Sequence, residues 1–138
     1  MRKPLSDSAL SKILETANER DLFIVGHMYI ENTIDLILEK KFGVPSKSID
    51  STLFTLNLKM DILIESGLIK GGVKKNVELL AKIRNRYAHK LEPTEQRIGN
   101  YIRELQYLGS APKPNNKYAK YRVCVIRTFS VLVKMLRK

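Results

Sequence analysis

The run from Asn18 to Gly43 limits the fold more than any other stretch of this chain. Set at about 100° per residue, Leu22, Phe23, Val25, Tyr29, Ile30, Ile34, Ile37 and Leu38 cover well over half of a helix circumference. A helix wrapped in this way needs cover on several sides, so it must be the central element of whatever forms around it. Asn18 is placed to cap its start, and Gly43 with Pro45 ends it at about Lys41. No segment of real length alternates with period two, so the expected fold class is all-α.

The other helices follow from the same periodicity. Ser6 or Ser8 after Pro4 opens a helix over 7–17, with Leu10, Ile13 and Leu14 inward. Residues 43–50 read as a short polar loop. Ser48 or Asp50 then caps a helix over 51–66 with Leu53, Leu56, Met60, Leu63 and Ile64 inward, and Gly67 and Leu68 close it in a Schellman motif. Gly71-Gly72 reads as a turn before a helix over 73–90, whose Val73, Val77, Leu80 and Ile83 should pack against the central helix. Pro93 and Glu95 start a helix over 93–108 that Gly109 stops.

Two prolines and two asparagines make 110–117 a linker. A last helix over 118–137 turns Tyr121, Cys124, Val125, Thr128, Phe129, Leu132, Val133 and Leu136 inward, and Lys120, Arg122, Arg127, Lys134, Arg137 and Lys138 outward. The expected organisation is a compact bundle of about six helices, with 1–109 as its body and 118–138 as a basic helix packed on the same domain. The apolar stripe of that last helix is continuous, which favours the bundle core over a membrane surface.

A chain of 138 residues can bury one core without staples. No apolar run reaches the roughly 18 residues of a membrane span. The basic N-terminus lacks an apolar h-region, and a single cysteine forms no internal disulfide, so the expectation is a cytoplasmic protein with no membrane partner. Cys124, among Val123, Val125 and Ile126, reads as a buried small hydrophobe.

The net charge of +11 is unevenly placed. Residues 1–69 hold eight basic side chains against ten acidic, residues 70–138 seventeen against four, and residues 109–138 eight against none. The C-terminal half is the one to attract a polyanion, nucleic acid first. Candidate contacts are Lys82, Arg86, Lys90, Lys113, Lys117, Lys120 and Arg122.

Within that half, Ala81 to Lys90 carries Arg84, Asn85 and His89 in what otherwise reads as an interior helix. Asn85 and His89 lie one turn apart on one ridge, and the Arg84 stem can bring its guanidinium to the same patch. A fixed cation, an amide and a titratable imidazole together suit a phosphate group. A helix C-terminal cap explains the same residues, because cations there complement the macrodipole. His27, one turn before Glu31, reads as a core histidine bonded to a carboxylate, with Glu31 also able to reach Arg84. Glu31, Asp35 and Glu39 form an acidic ridge that reads as a polar stripe on a buried helix.

Arg84-Asn85-Arg86-Tyr87-Ala88-His89 resembles the Arg-Asn-x-x-x-His signature of the HEPN superfamily. Asn18 to Asp21, Tyr29 to Asn32, Asn57 to Met60, Ser66 to Ile69 and Leu80 to Asn85 follow the order seen in the mannitol operon repressor family, an all-helical group resembling HEPN proteins. The resemblance covers about residues 15–92 and leaves out the basic tail. It implies a homodimeric, metal-independent endoribonuclease with no cofactor. His89 would act as general acid/base, Arg84 would hold the scissile phosphate, and Asn85 would orient one or the other, with Glu31 and Tyr87 supporting them. The superfamily's toxin branch commonly has Tyr two residues past the histidine, where this chain has Leu91. The alternative implied is a non-catalytic transcriptional regulator or adaptor of the mannitol repressor type acting through a protein partner. No pair of short helices presents a DNA-reading face.

Overall fold

The computed structural model describes residues 7–16, 18–89, 95–109, 113–114 and 116–138. Among these the chain forms seven helices and no strand: α1 (Asp7–Thr16), α2 (Glu19–Phe42), α3 (Ser46–Ile49), α4 (Leu56–Glu65), α5 (Gly71–His89), α6 (Glu95–Glu104) and α7 (Lys117–Arg137). The class is all-α, as the periodicity requires. The expected roles of Ser6 and Pro93 lie outside the described residues, as do Lys90 and the side chains of His89 and Lys117.

α2 forms as its caps dictate. The Asn18 side chain accepts the Asp21 amide at 2.8 Å, and Gly43 adopts the left-handed conformation at φ 64° that ends the helix. Its wrapped surface is covered by α1, α3, α4, α5 and α7. α7 approaches closely at Gly26, where a Cβ would stand 3.0 Å from Val125 Cγ1. The ring of Phe23 lies edge-on to Tyr121 at 5.0 Å and to Tyr87 at 5.5 Å, tying α2, α5 and α7 into one core.

The Schellman motif is present, with Gly67 N–H donating to Ile64 O at 3.0 Å and Leu68 N–H to Leu63 O at 3.2 Å. The start of that helix differs from expectation. Thr55, not Ser48 or Asp50, caps α4 by accepting the Leu58 amide at 3.3 Å. Ser51 Oγ accepts the Leu53 amide at 3.2 Å and holds 51–54 in a turn, because a short hydroxyl side chain competes for local backbone groups. Leu53, expected inward, is therefore 83% exposed. The polar loop of 43–50 instead contains α3, which buries Ile49.

Gly71 and Gly72 are the first turn of α5 rather than a turn before it, because Lys70 O accepts the amides of Val73 and Lys74. α6 stops at Glu104, four residues before the expected end. The buried Asn76 side chain takes the chain over there. Its Oδ1 accepts Gln106 N–H at 2.8 Å and its Nδ2 donates to Gln106 O at 2.8 Å, so one side-chain amide takes both backbone groups of a residue and a further helical turn cannot form.

α7 buries Tyr121, Cys124, Val125, Thr128, Phe129, Leu132 and Val133 against α2, with Leu136 partly covered. Burial pushes the Cys124 thiol up to about 11, as befits a packing residue. The outward basic face is narrower than expected. Lys120 donates to Arg103 O at 2.6 Å and Arg122 to Leu14 O at 2.9 Å, leaving Lys134, Arg137 and Lys138 exposed. Long basic side chains lay their stems on the neighbouring helices and bring their donors to carbonyls there.

Candidate functional site

α5 buries Val73, Val77, Leu80 and Ile83, and this fixes where its polar residues face. Ala81, Lys82, Arg84 and Asn85 line a cleft of about 490 Å³ whose other wall is the start of α4, at Thr55, Leu56 and Asn57. Glu31 of α2 and Glu78 of α5 complete the lining. Thr55 satisfies only the Leu58 amide, so the other N–H groups of that first turn lack a helical acceptor and bring the positive end of the α4 dipole to the cleft.

Arg84 is half-buried, and its Nε is shielded from water with no hydrogen-bond partner. No acid among the described residues is ion-paired with its guanidinium. Asn85 is exposed beside it. A half-buried guanidinium with an unused Nε donor, an exposed amide and a helix N-terminus make a cleft that can take a phosphate. Glu31 and Glu78 oppose the two cations, so an anion is best placed toward the α4 end.

Behind Arg84 lies His27. Its ring is 1% exposed, and its Nδ1 stands 3.5 Å from Glu31 Oε2, too far for a hydrogen bond. Desolvation first, and the Arg84 charge second, lower its pKa from 6.5 to about 4. His27 is thus the core histidine expected, but the expected hydrogen bond to Glu31 is not made, because the desolvated ring is neutral and Glu31 stays partly exposed. The unfolded chain takes up a proton at His27 below its ordinary pKa while the folded chain does not. Stability is therefore full above that value and is lost as pH falls toward 4. Chemical denaturation should show a loss of about 3 kcal/mol over that window that His27→Phe largely removes. An equal loss in the variant would place the titration elsewhere.

The acidic ridge is a structural stripe. Asp35 is ion-paired to Lys59 at 2.8 Å and Glu39 accepts a bond from Ser46 Oγ. Glu31 is the ridge member that reaches the cleft, while Tyr87 does not line it and packs on Phe23. α5 places the backbone of His89 one turn beyond Asn85.

The predicted cations fall into separate places. Lys82 is in the cleft, and its ammonium lies 5.9 Å over the Tyr101 ring. Arg86 is round the helix toward α6, in a hollow with Gln96, Arg97 and Asn100. Lys113 and Lys120 sit over the Tyr107 ring at 6.0 and 5.2 Å, and Arg122 lines a hollow with Leu22 and Tyr118. Compared with known protein families, characterised proteins and solved structures, the chain matches none.

Two structural groups escaped the sequence reading. Lys59 lies on the inward ridge of α4 between Leu56 and Leu63, and Asn76 on that of α5 between Val73 and Leu80. A polar side chain at a core position of a helix requires a partner, and that requirement was the available signal.

Proposed function

We propose that this chain is a HEPN-type RNA-binding protein that cleaves RNA without a metal, as a homodimer, with Arg84 and Asn85 at its centre. The observation that carries the reading is the Arg84 guanidinium, desolvated at Nε, without an acid partner among the described residues, and lining an open cleft with Asn85. In the reaction Arg84 pairs with the scissile phosphate and stabilises the charge that builds on its oxygens. His89, one turn past Asn85, takes the proton from the ribose 2′-OH. That oxygen attacks phosphorus, the bond from phosphorus to the 5′ oxygen breaks and the leaving oxygen takes a proton from water, giving a 2′,3′-cyclic phosphate. Asn85 orients the phosphate or the imidazole. Lys82 and Arg86 extend the contact along the backbone.

A second reading is a non-catalytic regulator of the mannitol operon repressor type. It is favoured by Leu58 and Ile62, one turn apart and exposed on α4, which offer an apolar ridge to a protein partner.

Labelled single-stranded RNA incubated with the protein in excess chelator separates the two. Cleavage is expected from the wild type, falling at least about a hundredfold in both Arg84→Ala and His89→Ala, the size of one electrostatic or acid/base contribution. Salt-sensitive binding without cleavage gives the second reading. Neither binding nor cleavage overturns both nucleic-acid roles.

A further inference from the structure

We infer that Tyr101 is a base-stacking platform that receives a nucleobase of the RNA whose phosphate lies at Arg84. This rests on the RNA reading above and specifies the form of RNA the cleft takes, a single strand with its bases unstacked.

Tyr101 projects from α6, half-buried, with the Lys82 ammonium 5.9 Å over its ring. Lys82 is also a wall of the Arg84 cleft, so the ring and the cleft are joined by one side chain. Beyond the ring, Arg86, Gln96, Arg97 and Asn100 line a hollow of about 320 Å³ between α5 and α6, with no acid among the described residues that line it. Toward the start of α5, a further hollow that shares Lys82 and Glu78 with the cleft adds Glu104, Lys74 and Lys75. A polyanion leaving the cleft past Tyr101 toward Arg97 therefore avoids Glu104.

The chemistry along that path alternates as a single strand requires. A guanidinium stands at one phosphate, an aromatic face at the neighbouring base, then guanidinium and amide groups at the next phosphate and base edge. In the free protein the Lys82 cation occupies the ring face. When a base stacks there, the flexible ammonium is released to pair with the strand's backbone phosphate. A duplex keeps its bases stacked inside and cannot use the platform.

Fluorescence anisotropy with a labelled oligoadenylate tests this on the full chain. Tyr101→Leu should weaken binding about tenfold with its salt slope unchanged, because a stacking contact is lost and no phosphate contact is. Tyr101→Phe should stay within about twofold of the wild type. Arg97→Ala should weaken binding and reduce the salt slope by about one. Because Tyr101 also packs on the core, the wild type is titrated in parallel with an oligonucleotide carrying abasic positions, and the same tenfold loss is expected there. Binding that depends on Arg84 but is indifferent to Tyr101→Leu and to base removal overturns the platform alone. Preference for duplex RNA also overturns it. No binding of any RNA overturns the platform together with the function it rests on.

Discussion

Replacing Lys59 with Met is expected to cost about 3–5 kcal/mol. The Lys59 ammonium is 2.8 Å from Asp35, and the two side chains are 7% and 13% exposed. Methionine keeps the apolar stem and removes the charge, which lies over the Phe54 ring as well as beside Asp35, so the loss chiefly reports Asp35 deprived of the Lys59 cation in a largely dry site. In a domain of this size, thermal unfolding should fall by roughly 10 °C or more. Adding Asp35→Leu to the same protein should recover part of the loss, because a buried carboxylate deprived of the Lys59 cation costs more than the missing pair. An unchanged midpoint for Lys59→Met would mean that water reaches Asp35 and that α4 is held to α2 by apolar contacts alone.

Asn76→Leu should be almost as damaging, at about 3 kcal/mol. Asn76 is fully buried and uses both ends of its amide, with Nδ2 also donating to Thr128 Oγ1 at 3.2 Å. It joins α5, the segment after α6, and α7 at one point. Leucine fills the volume but leaves the Gln106 peptide and the Thr128 hydroxyl without their partner, at about 1–3 kcal/mol for each buried group left unsatisfied. Amide hydrogen exchange gives the sharper readout. The Gln106 N–H, protected through Asn76 Oδ1, should exchange far faster in the variant, and full retention of its protection would contradict the assignment.

These two residues also mark where sequence reading stopped. Local rules carried the caps of α2, the Schellman turn after α4 and the buried face of α7, because each depends on residues within a turn or two of one another. Lys59 with Asp35 and Asn76 with Gln106 and Thr128 are pairs across helices, and periodicity alone shows only that a polar residue faces inward. Leu53 failed for a different reason: the hydroxyls of Ser51 and Thr55 set the helix start, and they outweigh one apolar residue in the pattern. At the cleft, the neighbourhood of Arg84, Asn85, Lys82 and Glu31 was legible from helical spacing and from the packing of α5 on α2. The contribution of the α4 N-terminus was not, because it depends on where α4 begins. The basic residues of α7 looked like one surface in the sequence, yet Lys120 and Arg122 are engaged with neighbouring helices.

Arg84 is also where the functional account is most exposed. The direct measurement follows the Arg84 Nε–H by NMR while an oligoribonucleotide blocked at its 2′ oxygens is titrated in. The account predicts that this donor, without an acceptor in the free protein, moves progressively to a new position as the cleft fills, and that Arg84→Lys loses most of the affinity because an ammonium cannot reproduce the two-pronged contact. An Arg84 resonance that stays in place while RNA saturates the protein would contradict it.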